Sequence, residues 1–189
     1  MGIDGAMNWL RTMFILLAAY LAVFWESAFR GLRPLLGAQI DLLPPLLVYT
    51  SLSADLVTVA LLAALGGLWF DSLSANPLGV SVLPLFLPGL AIYVKRDLIL
   101  REQAFAQLAL GLAASAATPL LTLLLLLTAG HPPLLGWGTI WQWLVLCVGG
   151  AVATPVWFEF FGWLERVLVH NRTEQSSFRA DREIRRGRS

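Results

Sequence analysis

Five acidic side chains lie within or beside strongly apolar stretches and are the first candidates for chemistry: Glu26, Asp41, Asp55, Asp71 and Glu159. A carboxylate in such a place is costly unless partners hold it or it reaches the membrane interface. Capping is the favoured interpretation for Asp41 and Asp55, because the dipole and free amides at a helix N-terminus favour a carboxylate. For Glu159, a position at the cytoplasmic interface is favoured over a functional role.

Asp71 lies in the most distinctive segment, residues 66–79, which reads Gly-Gly-Leu-Trp-Phe-Asp-Ser-Leu-Ser-Ala-Asn-Pro-Leu-Gly. Its last four residues are a turn signal, since proline fixes one backbone dihedral and glycine allows a positive one. The segment therefore predicts a structured turn between two membrane helices. A carboxylate wetted at the helix end is the favoured state of Asp71. Burial against a basic residue or a backbone cluster is the alternative.

No arrangement typical of an enzyme accompanies these carboxylates. His131 and His170 fall on opposite sides of the membrane in the predicted topology, and Cys147 is the single cysteine. One cysteine excludes an intramolecular disulfide and cannot by itself build a zinc or iron–sulfur site. Metal-binding histidine pairs, an intramembrane serine-protease turn and a Walker loop are missing from the sequence. We therefore expect a non-enzymatic protein without a metal or cofactor.

The composition is that of an integral membrane protein. The 189 residues are 58% hydrophobic and 13% charged, and a soluble domain would have roughly twice that charged fraction. We expect one transmembrane bundle over residues 1–170 and a basic cytoplasmic tail over residues 171–189. The lipid bilayer is the expected surroundings of the bundle, and no nucleic-acid partner is expected.

An all-α fold of six transmembrane helices is predicted, and five remain possible if the second and third merge into one kinked helix. The second and fourth are shorter than the roughly 20 residues of a full crossing and contain prolines, so neighbouring helices must shield them. The positive-inside rule places Lys95, Arg96, Arg101 and the C-terminus in the cytoplasm in both schemes. The predicted spans are 9–29, 41–53, 55–73, 80–94, 104–128 and 139–168.

Small residues four positions apart predict where these helices pack closely, because they let two backbones approach. The helix-packing candidates are Ala18 with Ala22, Ala63 with Gly67, and Gly111 with Ser115. Ala60 with Ala64 and Gly150 with Thr154 show the same spacing.

The segment around Asp71 resembles the MreD family, the small polytopic subunit of the bacterial rod-shape (elongation) machinery. That family has a pattern close to Gly-x-x-x-Gly-Leu-x-x-Asp-x-x-Ser-x-x-Pro-Leu-Gly across two helices. Ala63 stands where the family has its first glycine, and a proline that precedes the family's second span is displaced here to Pro44-Pro45. The matching residues are Gly67, Leu68, Asp71, Ser74, Pro77, Leu78 and Gly79.

The resemblance implies a non-enzymatic scaffold of the elongasome in the bacterial cytoplasmic (inner) membrane. MreD-like proteins bind the single-pass protein MreC, and with it link cytoplasmic MreB filaments to the peptidoglycan polymerase RodA and its transpeptidase partner. The fold is similar to the substrate-binding subunits of energy-coupling-factor (ECF) transporters. On this view Asp71, Pro77 and Gly79 shape an outer rim where partner helices dock, as part of the motif with Gly67 and Ser74.

The rival interpretation is a substrate-binding subunit of an ECF-type vitamin transporter. Ala18-x-x-x-Ala22 in the first helix is similar to the small-residue motif with which such subunits dock their coupling partner. The predicted outer loops hold few polar residues to line a vitamin pocket, which counts against it. Co-purification distinguishes the two, since MreC indicates the scaffold and a bound vitamin with ATPase-module partners indicates transport.

Overall fold

The structure is a computed structural model that describes residues 3–28, 40–74, 77–99, 103–128, 130 and 136–177. Within these ranges the chain forms six α-helices, one short 3-10 helix and no strand. The predictions for Asn76, Arg101, His131 and residues 178–189 lie outside the described residues. The helices are α1 (Ile3–Ala28), α2 (Leu43–Ser53), α3 (Leu56–Leu73), α4 (Val82–Lys95), α5 (Ala104–Thr128) and α6 (Trp137–Ser177), and the 3-10 helix Arg96–Leu98 follows α4.

Contacts between helix ends show that α2 and α3 are two separate helices that run in opposite directions. Near the end of α1, Glu26 accepts a hydrogen bond from the backbone N–H of Leu42, just before α2, at 2.6 Å. Near the start of α1, the Asn8 amide donates to Asp55, just before α3, at 3.2 Å. Because α2 begins beside one end of α1 and α3 begins beside the other, the six-helix arrangement is favoured over the five-helix one.

The remaining helices continue this alternation and give the bundle two distinct ends. The Arg96 guanidinium, after α4, donates to the Ala54 carbonyl after α2 at 3.2 Å. Arg11 on α1 forms an ion pair with Glu165 on α6 at 3.1 Å. We call this the Arg96 end, and we call the opposite end, where α3 meets α4, the Asp71 end.

Helix α2 lies at the centre and contacts all five other helices. It has 11 residues, of which residues 43–52 are buried. Pro44 and Pro45 occupy its first turn, where the missing N–H groups would have had no partner within the helix. The hydroxyls of Thr50 and Ser51 donate to the carbonyls four residues earlier in the same helix. They are therefore hydrogen-bonded although the helix is buried among apolar side chains. This is the short, shielded element that the sequence predicted.

Four of the six helices are long and apolar enough to cross a membrane, as expected of a helical membrane protein. The segments are Asn8–Ala28, Leu56–Leu73, Ala104–Thr128 and Trp137–Val167. Helices α2 and α4, with 11 and 14 residues, fall below the length of a full crossing. Pro88 inside α4, Pro119 inside α5 and Pro155 inside α6 are each partly buried. Membrane helices tolerate such prolines where neighbouring groups satisfy the freed carbonyls.

The small-residue pairs of α5 and α6 face each other along one line of contact. A Cβ added at Gly111 would meet the Thr154 hydroxyl and the Gly150 carbonyl, and one added at Gly150 would meet the Ser115 hydroxyl. These four residues let the two backbones approach more closely than larger side chains would allow. Further along α6, Phe161 stacks on Tyr49 of α2 with ring centroids 4.4 Å apart.

Candidate functional site

The Asp71 carboxylate fastens the turn between α3 and α4 at the Asp71 end. It accepts the backbone N–H groups of Gly79 at 2.8 Å and of Ser81 at 3.0 Å. It also accepts the Ser81 hydroxyl at 2.5 Å. Asp71 is 1% exposed, so these bonds replace water as its hydrogen-bond donors. We call Asp71, Gly79 and Ser81 the Asp71 clamp.

Two glycines allow the chain to form this clamp. Gly79 has a φ of +90°, a conformation that side chains with a Cβ rarely adopt, and it brings its N–H back toward Asp71. Gly67 lies one turn before Asp71, where an added Cβ would be 2.9 Å from the Val82 backbone nitrogen and Cα. The start of α4 therefore packs directly on the backbone of α3.

The geometry assigns Asp71 a structural role and overturns the favoured expectation of a carboxylate wetted at the interface. Three donors from the turn occupy its two oxygens, which is the backbone-cluster alternative. The bonds are charge-assisted and lie at the N-terminus of α4, where the helix dipole also stabilises a negative charge. A carboxylate held in this way positions the turn.

The clamp holds an apolar residue out of the bundle. Leu78, between Pro77 and Gly79 in the turn, is 71% exposed, and Leu73 at the end of α3 is 58% exposed. Pro77 belongs to the same turn, since its carbonyl accepts the N–H of Val80 at 3.3 Å. Leu73 and Leu78 together form what we call the leucine rim of the Asp71 end.

A second carboxylate pair lies at the same end, beside the start of α2. Asp41 accepts the N–H of Leu43 at 2.9 Å, but the N-cap position of α2 is Leu42, so Asp41 contacts the helix start without being its N-cap residue. Glu26 accepts the N–H of Leu42 through Oε1, while its Oε2 is buried without a hydrogen-bond partner in the described part of the chain. Asp55, by contrast, precedes α3 without capping it by a side-chain hydrogen bond.

Two adjoining cavities extend from Asp41 between α5 and α6. The first, of about 270 Å³, is lined by Asp41 and Ser81 and by Ser115, Thr118 and Thr122 of α5. The second, of about 690 Å³, reaches Trp137 and Ile140 at the start of α6. Four residues line both: Pro119, Leu123, Gln142 and Leu146.

The structure brings the predicted motif residues together at the turn and places the predicted helix-packing alanines elsewhere in the bundle. Gly67, Asp71, Pro77 and Gly79 meet at the turn, while the Ser74 hydroxyl lies 3.4 Å from the Asp71 carbonyl. Ala18, Ala22 and Ala63 are buried in the bundle interior.

Sequence reasoning missed Ser81 and Gln142. The only sequence signal for Ser81 was its place just before an apolar helix, where a hydroxyl is a common N-terminal residue.

Glu159, whose role the sequence left open, is exposed on α6 within the Trp137–Val167 segment. Among the described residues, no group of three or more His, Cys, Asp or Glu side chains is placed to hold a metal ion. No protein-family model, curated protein or solved structure matches the chain.

Proposed function

We propose that this protein is an MreD-like, non-enzymatic membrane scaffold of the bacterial rod complex, which binds MreC and thereby supports peptidoglycan synthesis and cell shape. The observation that carries the proposal is that the motif residues form one fastened turn that holds Leu78 outside the bundle. Gly67, Asp71 and Gly79 each have a defined structural task in that turn. A motif with this purpose presents a surface and performs no reaction.

The leucine rim supports a docking role because it is apolar and exposed and lies beside the turn that the Asp71 clamp holds. A turn of this kind needs no leucine for its own stability, since Leu78 is 71% exposed. Anchoring an exposed apolar side chain in advance lowers the entropy lost when a partner covers it. A transmembrane helix of MreC that leaves the bilayer at this end would bury Leu73 and Leu78 against apolar side chains of its own.

On this proposal the protein acts by packing. It would fix the tilt and spacing of the MreC helix. Through MreC it would influence how the helices of RodA and its transpeptidase are arranged and, indirectly, how MreB on the cytoplasmic side is linked to them. Such a bias requires that the scaffold contact the active and inactive arrangements of the synthase differently.

Gly67 and Ala63 lie inside the bundle, so replacing either residue would affect folding before it affects docking of a partner.

Retention of MreC by variants of the rim tests the proposal. We expect Leu78→Gln to reduce co-purification of MreC at least fivefold, because a glutamine amide cannot replace buried apolar contact at an interface centre. Leu98→Gln is the matched control, since Leu98 is 81% exposed at the Arg96 end. Equal thermal unfolding of both variants and the parent protein would show that the loss is one of docking.

The opposite results identify where the proposal fails. If Leu78→Gln and the parent protein retain MreC equally, the rim is not the docking surface. If the purified protein instead retains a vitamin and ATPase-module partners, it is a substrate-binding subunit of the ECF type. The cavities beside Asp41 favour that second candidate function, because a transport subunit needs a binding pocket.

A further inference from the structure

The cavity of about 270 Å³ at the Asp71 end is lined by both polar and apolar side chains. Its polar lining consists of Asp41, Ser81, Ser115, Thr118, Thr122 and Gln142, and its apolar lining includes Leu123, Leu126 and Leu146. An apolar pocket with a few convergent polar groups is the usual form of a small-molecule site. The chemistry of those polar groups decides which ligand would fit.

Three hydroxyls of the cavity already use their protons elsewhere. Thr118 donates to the Ala114 carbonyl and Thr122 to the Thr118 carbonyl, each at 2.9 Å. Ser81 donates to Asp71. Because a hydroxyl has one proton and two lone pairs, these three side chains can offer a ligand only their lone pairs. Asp41 adds a carboxylate, which is also an acceptor.

Ser115 is independent evidence that the cavity suits a ligand with a polar group. Its side chain lines the cavity and is 2% exposed, and its hydroxyl has no hydrogen-bond partner among the described residues. Buried hydroxyls in native proteins are nearly always hydrogen-bonded. A ligand with a polar head would supply the missing bond.

The adjoining cavity provides space for an apolar body. It shares Pro119, Leu123, Gln142 and Leu146 with the first and extends to Trp137 and Ile140. Trp137 is 88% exposed and Ile140 is 59% exposed, so this cavity reaches the outer surface of α6. In a membrane protein, that surface faces the lipid or a partner. A molecule from the bilayer could therefore enter sideways with its tail along α6.

We propose that the two cavities together bind a membrane amphiphile whose head is a primary ammonium group. The ammonium would donate to Asp41 and to the hydroxyl lone pairs, and the apolar chain would lie in the adjoining cavity. A primary ammonium fits because its positive charge suits the Asp41 carboxylate and its three N–H donors suit the lone pairs of Ser81, Thr118 and Thr122. This inference is separate from the scaffold function, and it holds or fails without MreC.

Lipid retention by the full-length chain tests the inference. The detergent-solubilised protein is mixed with equal amounts of phosphatidylethanolamine, phosphatidylcholine and phosphatidylglycerol, and bound lipids are counted by native mass spectrometry. We expect at least fivefold more phosphatidylethanolamine than either of the others. Phosphatidylcholine has the charge without N–H donors, and phosphatidylglycerol has hydroxyl donors without the positive charge.

Variants locate the binding at the cavity. Asp41→Asn removes the negative charge, and we expect it to lower phosphatidylethanolamine retention to the level of phosphatidylcholine. Thr122→Val keeps the side-chain volume, removes the lone pairs and should lower retention two- to fivefold, which provides a second test if Asp41→Asn unfolds. Asp97→Asn is the control, because that carboxylate is 93% exposed at the Arg96 end and should have no effect.

Three outcomes would overturn the inference. One is equal retention of the three lipids, and another is retention by well-folded Asp41→Asn and Thr122→Val at the parent level. The third concerns the source of the ammonium group. If free ethanolamine binds in isothermal titration calorimetry and no lipid is selectively retained, the ligand is a soluble amine and the membrane origin is wrong.

Discussion

At the scale of the residue, the Asp71 clamp shows how one carboxylate organises a turn by accepting three hydrogen bonds. The two N–H groups of Gly79 and Ser81 precede α4 and have no carbonyl of that helix to bind. The Asp71 side chain on α3 accepts these two N–H groups instead, and this connects the end of α3 to the start of α4. Asp71 is only 1% exposed, so water cannot replace a lost hydrogen bond, and breaking one of these bonds is costly.

Asp71→Asn is expected to lower the free energy of unfolding by about 1–3 kcal/mol, because the neutral amide loses the charge that strengthens the two backbone hydrogen bonds and replaces the oxygen that accepts the Ser81 hydroxyl. Thermal unfolding of the purified protein in detergent, followed by tryptophan fluorescence, measures the change. Asp97→Asn is the control for removing one negative charge, since Asp97 is 93% exposed. Equal unfolding temperatures for both variants would show that the clamp contributes nothing to stability.

At the scale of the element, glycine spacing decides which helices touch through their backbones. Gly66 and Gly67 are neighbours in sequence, but they face different surroundings. The nearest atom to an added Cβ at Gly66 is the end of the flexible Leu43 side chain, at 3.3 Å. At Gly67 the nearest atoms belong to the backbone of Val82, at 2.9 Å. Only the second contact prevents a larger residue.

Gly67→Ala is therefore expected to destabilise the protein by about 1–3 kcal/mol, the usual cost of forcing extra volume into a packed site. Gly66→Ala is the matched control. It should be neutral or stabilising by up to about 1 kcal/mol, because alanine favours a helix over glycine. Thermal unfolding of the two variants side by side gives the comparison. If Gly66→Ala lowered the unfolding temperature as much as Gly67→Ala, the result would contradict the close approach of α4 to Gly67.

At the scale of the whole molecule, charge is divided between the two ends of the bundle. Every Lys and Arg in the described part of the chain belongs to the Arg96 end, and Glu26, Asp41 and Asp71 lie at the other end. We propose that the Arg96 end faces the cytoplasm, which is the side that the positive-inside rule predicts for it. The leucine rim and the cavities would face the outer side.

Site-directed cysteine labelling tests this orientation. In a Cys147→Ser background, Ser27→Cys and Ser74→Cys should react on intact cells with a membrane-impermeant maleimide, because both belong to the Asp71 end. Ser53→Cys belongs to the Arg96 end and should react only after the membrane is permeabilised. Labelling of all three from outside, or of Ser53→Cys from neither side, would contradict the six-helix topology.

The sequence predicted the helices well and the sites only in part, for a physical reason. Apolar runs and prolines are local signals, so the predicted span 104–128 coincides with α5, and the shortness of α2 was also foreseen. The donors around Asp71 depend on how the turn folds back, and Ser81 lies ten residues away from it. The cavities are formed by several helices at once, and no spacing along a single chain segment encodes them.

The central position of α2 has a consequence for how this protein is made. An 11-residue helix is about 16 Å long, roughly half of the hydrocarbon thickness, so α2 has no stable place in lipid by itself. Its surroundings are supplied by five other helices, two of which are synthesised last. Insertion of α2 must therefore be completed after the ribosome has passed α6, and a chain released early would leave this segment without a bilayer position, as a substrate for quality-control proteases.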